Sequence, residues 1–187
     1  MSHIHIDQLY KTYPGSPPVQ ALESISLDIQ PGDFVALLGP SGCGKSTLLN
    51  IIASFEQPTS GVLTVGGQTI ATPGPDRGVV FQEAALFPWL TVWENIVFGP
   101  KAQGLPASDY ESRAEEMLNI MGLKDFRNHL PIQLSGGMRQ RVGIARVLTL
   151  GSQILLMDEP FGALDAQTRL TMQELLLSVW DRLKPTI

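Results

Sequence analysis

The chain has 187 residues, of which 43% are hydrophobic and 17% are charged. This composition is typical of a globular domain with its own core and excludes intrinsic disorder. Lys and Arg number 13 against 18 Asp and Glu, so the formal net charge is -5. An acidic balance argues against nucleic-acid binding and against electrostatic adsorption to anionic lipid.

Targeting and redox signals point to the cytosol. Cys43 is the single cysteine, so no disulfide can form within the chain and a reducing compartment is expected. The first seven residues lack the basic end and apolar run of a signal peptide. No stretch approaches the roughly 20 apolar residues that span a bilayer. We therefore expect a soluble cytosolic domain.

Strand patterns occupy the first part of the chain. Ile4 and Ile6 alternate with polar residues, as do the apolar residues of 25–29, which predicts two half-buried strands. Phe34–Leu38 is a continuous apolar run and predicts a strand buried on both faces. Gly66-Gly67 separates two short β-prone runs, which is the spacing of a β-hairpin.

Helix patterns dominate the second part. Residues 91–94 and 108–111 each fit the capping box of a helix N-terminus. Apolar residues at helical spacing follow in 114–121 and again in 172–183; core burial is the expected role of the second stripe and a partner surface the lesser alternative.

Two short apolar runs lie between the helical segments. Val79–Phe81 and Ile154–Met157 predict buried strands. Strands therefore alternate with helices, and the predicted class is α/β.

A phosphate-binding pattern follows the apolar run Phe34–Leu38. Gly39–Ser46 matches G-x-x-x-x-G-K-[ST] and precedes the helix-like Thr47–Ala53. In this pattern glycines let the backbone wrap a phosphate, the lysine reaches the β- and γ-phosphates, and the Ser46 hydroxyl binds Mg²⁺. A chance glycine-rich turn is the alternative, which the strand–loop–helix context disfavours. The candidate ATP-binding residues here are Gly39, Pro40, Ser41, Gly42, Cys43, Gly44, Lys45, Ser46 and Thr47.

Two carboxylates end the predicted strand Ile154–Met157. Asp158 is placed to hold Mg²⁺ through water, and Glu159 to orient and deprotonate an attacking water. Many buried strands end in an acidic residue at the surface, so this pattern alone is weak evidence. It indicates a catalytic site only in combination with the phosphate loop.

A third pattern, Leu134–Gln140, leads into a helical stretch that ends near Leu150. A serine and two glycines at a helix start can build an anion site from backbone N–H groups. An ordinary N-cap explains the same residues, and both interpretations stay open.

Together these three patterns resemble the ATP-binding cassette (ABC) ATPases along the whole chain. The resemblance implies a signature whose Ser135 and Gly137 touch the γ-phosphate bound to a second copy. It implies that Tyr13 stacks on adenine, although a loop aromatic is the alternative, and that Gln82 contacts Mg²⁺ and the attacking water. It also implies that Asp165 crosses the dimer interface. The signature residues are Leu134, Ser135, Gly136, Gly137 and Met138, with Met138 where many relatives have Gln.

Three segments, Gly74–Gln82, Leu86–Val92 and Phe161–Asp165, resemble the branch that serves nitrate, sulfonate and taurine importers. The resemblance implies an ATP-hydrolysing subunit that works with ATP and Mg²⁺ as a homodimer, peripheral at the cytoplasmic face of the inner or plasma membrane. Its partners would be integral membrane permease subunits and, indirectly, an extracytoplasmic solute-binding protein, with no nucleic acid.

The resemblance further implies a P-loop core with an N-terminal antiparallel β part and a helical signature subdomain at about 88–150, all in one domain over 1–187. Leu86–Trp89 is the expected permease contact, with core packing of its aromatic residues as the alternative. Ser54 stands where relatives commonly have Gly.

The family's switch histidine has no counterpart in the chain. His3 and His5 fall on the first predicted strand and His129 precedes the signature, so none of them can serve. A metal role for His3 and His5 is disfavoured, because two ligands do not complete a site. The resemblance therefore predicts that the C-terminal part is missing, that the parent continues for 60 or more residues beyond Ile187, and that hydrolysis by these residues is impaired.

Two other functions compete with transport. A soluble ABC ATPase acting on DNA or ribosomes is disfavoured, since the 90 residues from Lys45 to Ser135 leave no room for a long coiled-coil insertion. The acidic charge also disfavours it. A nucleotide-binding fragment without turnover is the second alternative.

Overall fold

A computed structural model describes residues 2–187, and its largest sheet is antiparallel. Strands β1 (Ile4–Tyr13) and β2 (Val19–Ile29) pair in a register that sets Ile4 opposite Ile29. Strand β3 (Ser60–Val65) pairs with the other edge of β1, and β4 (Gln68–Thr69) completes the predicted hairpin, giving the order β2-β1-β3-β4. The predicted strands of this region are confirmed.

A second sheet consists of two parallel strands, β5 (Arg77–Val80) and β6 (Ile154–Met157). The prediction for β6 is confirmed. The predicted strand Val79–Phe81 is shifted, since β5 ends at Val80 and Phe81 is 43% exposed. Thr186 forms a parallel bridge to Ile154 on the other side of β6.

The prediction of a buried strand at Phe34–Leu38 is wrong. A central strand needs hydrogen-bonding partners along both edges. Here Val35 N–H donates to the Ile187 carbonyl at 2.7 Å, and Asp33 accepts from Ile187 N–H at 2.9 Å. Val35 and Leu37 pack on the core, whereas Leu38 is 92% exposed. The segment therefore buries one face and leaves the other open.

Five α-helices complete the fold. They are α1 (Lys45–Ile52), α2 (Val92–Ala102), α3 (Ala107–Ile120), α4 (Gly136–Leu150) and α5 (Ala166–Leu183). Short 3₁₀ turns at Lys124–Phe126 and Pro131–Gln133 join α3 to α4. Within residues 2–187, no helix combines the length and the apolar character that a membrane crossing requires.

The two predicted capping boxes have different outcomes. Thr91 caps α2 by accepting from Glu94 N–H, and Glu94 accepts in return from Thr91 N–H at 2.8 Å, so this box is confirmed. The box predicted at 108–111 is wrong, because α3 already begins at Ala107 behind Pro106. Proline suits a helix start, since its fixed φ is compatible with the first turn and its missing N–H is not needed there.

Two buried clusters form the core. One lies among α2, α3 and α4, and it takes in the predicted apolar face of α3 and residues Met172, Leu176 and Val179 of α5. The other lies between the antiparallel sheet, α1 and β6, around Ile4, Ile51 and other residues. The stripe on α5 therefore packs mainly in the core, as expected, while Leu183 at its end is 39% exposed.

Candidate nucleotide-binding site

The phosphate loop lies exposed between the segment 34–38 and α1. Gly44 has φ +97°, and a Cβ there would lie 2.5 Å from the Ala21 carbonyl oxygen, so only glycine fits. Lys45 begins α1, and its Nζ donates to the carbonyls of Gly39 at 2.9 Å and Pro40 at 3.0 Å. The ammonium is therefore held within the curve of the loop, beside the first helical turn, whose N–H groups have no partners inside the helix.

Two further candidate residues lie beside this loop. Tyr13 ends β1, and its hydroxyl is 3.5 Å from Thr47 Oγ1. Cys43 is exposed, with its Sγ 3.9 Å from Lys45 Nζ.

The carboxyl ends of β5 and β6 bring the other candidates together. Because the strands are parallel, Gln82 and Glu159 leave the sheet at the same edge. Gly162 marks their proximity: a Cβ there would lie 3.2 Å from Gln82 Nε2 and 3.3 Å from the Glu159 carbonyl oxygen. Glu159 has φ +45°, a left-handed conformation that is uncommon for a non-glycine residue and that clusters at functional sites.

One cleft connects the lysine with the carboxylates. It has a volume of about 540 Å³ and is lined by Lys45, Asp158 and Glu159 together with apolar residues of 34–37 and α5. A cation from the phosphate loop and two acidic side chains therefore border the same space.

The donor set fits Mg²⁺. Ser46 offers a hydroxyl, Gln82 an amide oxygen and Asp158 a carboxylate, and hard oxygen ligands of this kind suit magnesium. In the described part of the chain, no group of three or more His, Cys, Asp or Glu side chains could hold a metal ion.

His5 lies on β1, as predicted, whereas His3 lies just before that strand. His3 Nε2 is 2.7 Å and His5 Nδ1 is 3.1 Å from the same Asp28 oxygen. These hydrogen bonds, with the larger effect from His5, hold the pKa of Asp28 below its usual value of 3.8. His129 packs against the Phe126 ring.

The signature residues start α4. Ser135 is its N-cap, and its Oγ accepts from Met138 N–H at 3.3 Å, so the N-cap interpretation is confirmed. A Cβ on Gly137 would lie 2.7 Å from Thr168 Cγ2, so the glycine permits close packing on α5. Asp165 caps α5 by accepting from Thr168 N–H at 3.0 Å, and the hydrogen bonds to Thr168 lower the pKa of its carboxyl.

One face of α4 holds residues that sequence reasoning missed. Gln140 is 3% exposed, and its Nε2 donates to the carbonyls of Phe81 at 2.9 Å, Gln82 at 3.2 Å and Pro160. Two turns further on, Arg146 donates to the carbonyls of Ala84 and Ala85, and burial lowers the pKa of its guanidinium. A signal existed, since Gln140 is a polar residue at helical spacing from the apolar Ile144 and Val147.

In the segment 86–89, one aromatic residue packs within the fold and the other is exposed, as a permease contact requires. Phe87 is half-buried, with its ring centroid 4.3 Å from that of Phe98, so it packs in the fold. Trp89 is 72% exposed and remains a surface residue.

Known proteins share this arrangement. The family model for the ABC transporter matches residues 22–162. A taurine import ATP-binding protein TauB from Jannaschia sp. (strain CCS1) is 49% identical over 174 residues, which are 93% of this chain and 65% of that protein. TauB from Rhizobium johnstonii is 53% identical over 88% of this chain and 63% of its own length. The chain thus spans slightly less than two thirds of these relatives.

Solved structures agree with the sequence relatives. The ATP-binding cassette MJ0796, in a dimeric post-hydrolysis state bound to ADP and Pi, superposes with a TM-score of 0.81 at 35% identity, covering 98% of this chain and 85% of that one. CbiO1 from Clostridium perfringens, part of the ABC transporter complex cbiONQ, superposes with a TM-score of 0.88 at 28% identity, covering 100% and 77%. The predicted α/β P-loop fold is confirmed, and the chain belongs to the ABC transporter family.

Proposed function

We propose that the chain is the ATP-binding and ATP-hydrolysing part of an ABC importer. The observation that carries this proposal is the single cleft bordered by Lys45 of the phosphate loop and by Asp158 and Glu159 at the end of β6. The names of the relatives support it, as does the ADP and Pi bound to a structural neighbour.

Nucleotide binding falls to the phosphate loop and Tyr13. The backbone N–H groups at the start of α1 and the Lys45 ammonium neutralise the phosphates, and such charge-assisted hydrogen bonds are the strong ones. Tyr13, beside Thr47, offers its ring to the adenine base. On binding, Lys45 exchanges its bonds to the loop carbonyls for bonds to phosphate oxygens.

Hydrolysis falls to the acidic side of the cleft. Glu159 takes the proton of the attacking water, and Gln82, which lies beside the Glu159 backbone, orients that water. Ser46, Gln82 and Asp158 would hold Mg²⁺, which supplies neutralisation of the charge that develops on the phosphates. None of the three histidines lies at this site, so we expect slow turnover from these residues alone.

The signature residues at the start of α4 are proposed to act on a second copy of the chain. Ser135 and Gly137 at the start of α4 would contact the γ-phosphate bound to the partner, with Asp165 at the interface between copies. We assign residues 1–187 to one nucleotide-binding domain, with a helical subdomain at about 88–150.

The transport partners follow from the relatives' names. Exposed Trp89 in the segment 86–89 is the proposed contact with integral membrane permease subunits, which would place the domain at the cytoplasmic face of the inner or plasma membrane. An extracytoplasmic solute-binding protein would deliver the solute to that permease. Taurine is the favoured solute, with an aliphatic sulfonate or nitrate as alternatives in the same branch.

The activity test is Glu159→Gln, which keeps the side-chain shape and removes the base. We expect ATP binding within about twofold of the unchanged chain and at least about a hundredfold less phosphate release, since general-base catalysis contributes that much. Glu174→Gln is the matched control, since Glu174 is an exposed residue of α5. Equal phosphate release from the Glu159 variant and the unchanged chain, at a rate above that of a protein-free control, would remove Glu159 from its proposed role.

The solute test is growth of bacteria that lack their own import ATPase, with taurine or an alkanesulfonate as sulfur source or nitrate as nitrogen source. Restored growth on taurine supports the favoured solute. Growth restored only on nitrate would overturn the assignment to taurine.

A further inference from the structure

Gln140 lies where three functional segments meet. It belongs to α4 one turn after Gly136 of the signature, and its amide reaches the carbonyls of Phe81 and Gln82 after β5 and of Pro160 after Glu159. The side chain is 3% exposed, so water cannot replace these bonds at low cost.

The Gln140 amide has fewer N–H hydrogens than carbonyl partners, which makes its hydrogen bonds sensitive to small movements. A primary amide has two N–H hydrogens, whereas three carbonyl oxygens lie within reach of Gln140 Nε2. The bonds are therefore shared, and a shift of either segment by a fraction of an ångström changes how well the other is bound.

A second contact keeps α4 against the same loop without touching Glu159 or Pro160. Gly143, three residues after Gln140, has no Cβ, and one placed there would lie 3.5 Å from the Ala84 carbonyl oxygen. Arg146 then donates to Ala84 and Ala85 at 3.2 and 3.0 Å. Gln140 thus differs from its neighbours on this face because it alone joins the loop after β5 to the segment after β6.

We propose that Gln140 is a positioning residue that transmits nucleotide occupancy from Gln82 and Glu159 to the signature turn of α4. The inference rests on the proposed ATP binding at this site. Bound ATP and Mg²⁺ would contact the side chains of Gln82 and Asp158–Glu159 and shift them. The backbone carbonyls of Phe81, Gln82 and Pro160 would carry the resulting shift through the Gln140 amide to Gly136–Gln140.

Asn95 supplies a matched control. It is fully buried, and its Nδ2 also donates to three backbone carbonyls, those of Phe87 at 3.2 Å, Leu90 at 3.0 Å and Thr91 at 3.0 Å. These carbonyls lie at or just before the start of α2, so Asn95 makes the same amide-to-carbonyl contacts without contact to Gln82 or Pro160. Its Oδ1 also accepts from Phe87 N–H at 2.9 Å.

The experiment compares Gln140→Met with Asn95→Leu by amide hydrogen exchange, with and without MgATP, at equal fractions folded and at a protein concentration that keeps every sample monomeric, so that contacts with a second copy do not protect 136–140. In the unchanged chain we expect MgATP to slow exchange in 81–83, 158–162 and 136–140. Gln140→Met should bind ATP within about threefold but lose about tenfold of the protection at 136–140, the factor that a buried hydrogen bond supports. Asn95→Leu should loosen 87–91 and keep the MgATP response.

Each other outcome is decisive. No ATP binding by the unchanged chain would refute the proposed function itself. ATP binding that protects 136–140 equally in Gln140→Met and the unchanged chain would overturn the inference, as would absence of this protection in the unchanged chain. Equal loss in both variants would reduce Gln140 to a general stabilising role. If Gln140→Met does not fold, Gln140→Asn keeps the buried amide but is one methylene shorter, and it should show the same loss.

Discussion

The two loops that border the candidate site are held in different ways. The phosphate loop Gly39–Ser46 is shaped mainly by its own backbone, with Gly44 at positive φ and Lys45 bonded to carbonyls five and six residues before it, while Gly44 also packs closely on the Ala21 carbonyl of β2. The loop 81–87 is held from outside, by Gln140 and Arg146 of α4, which lie about 60 residues further along the chain.

This difference suggests separate roles for the two loops, nucleotide binding for the phosphate loop and communication with the signature for the loop 81–87. A loop shaped by local geometry keeps its ligand-binding conformation when the rest of the fold moves. A loop held by distant side chains changes position when those side chains move, and here they belong to α4. Substitutions in the phosphate loop should therefore affect nucleotide affinity. Those on α4 should affect stability and communication with the signature.

The largest effect expected from the phosphate-loop side is that of Lys45→Ala. The change removes the ammonium that lies within the loop, and the phosphate charge loses its cationic partner. We expect ATP affinity to fall by about a hundredfold or more, measured by equilibrium fluorescence with an ATP analogue, with an unchanged unfolding midpoint. Lys124→Ala, on an exposed 3₁₀ turn, is the control. Micromolar ATP binding by Lys45→Ala would refute the phosphate-loop assignment.

Alkylation of Cys43 tests the same loop without a substitution. The thiol is exposed, and Gly39 lies so close that a Cβ there would be 2.6 Å from Cys43 Sγ, so an added group must displace the loop. We expect alkylation to abolish ATP binding and MgATP to slow the reaction about tenfold or more, as follows from occupancy of the loop. Mass spectrometry gives the rate, and equal rates with and without MgATP would contradict the prediction.

Arg146→Met tests the loop that is held from outside. The variant removes two hydrogen bonds to Ala84 and Ala85 but keeps most of the apolar side-chain stem. We expect a loss of about 1–2 kcal/mol in the free energy of unfolding, measured in urea, and ATP affinity within about twofold. Arg113→Met is the control, because Arg113 of α3 donates a comparable hydrogen bond to the carbonyl of Thr149 near the end of α4. A large loss of ATP affinity in Arg146→Met alone would mean that the two loops are not independent.

The smallest effect is a pH dependence at the N-terminus of α2. Bonds to the Thr91 backbone and hydroxyl lower the pKa of Glu94 from its usual 4.5. A carboxylate with a lowered folded-state pKa stabilises the fold above its unfolded pKa, and this is lost as pH falls through the folded value. Glu94→Gln can form the same box without a charge. We expect the variant's urea midpoint to lie slightly below the unchanged chain's at pH 7, and the difference to shrink as the pH falls below the ordinary Glu pKa of 4.5; a constant difference would contradict this.

Local patterns predicted much of the fold. The alternation at Ile4 and Ile6, the hairpin at Gly66-Gly67 and the capping box at Thr91–Glu94 depend on neighbours in sequence, and the structure contains all three. The capping box at 108–111 failed because Pro106 provided an earlier helix start, a competing local signal.

The sequence by itself determined the phosphate loop, because the positive φ of Gly42 and Gly44 and the bonds of Lys45 to the Gly39 and Pro40 carbonyls lie within eight residues. It also determined that Gln82 and Glu159 follow strands. Tertiary structure alone decided that those strands are parallel neighbours, so that the two residues leave the sheet at the same edge. It also decided that Phe34–Leu38 buries only one face, since burial of a strand depends on partners that an apolar run does not specify. The three carbonyls around Gln140 come from two distant segments, and no spacing in the sequence encodes that meeting.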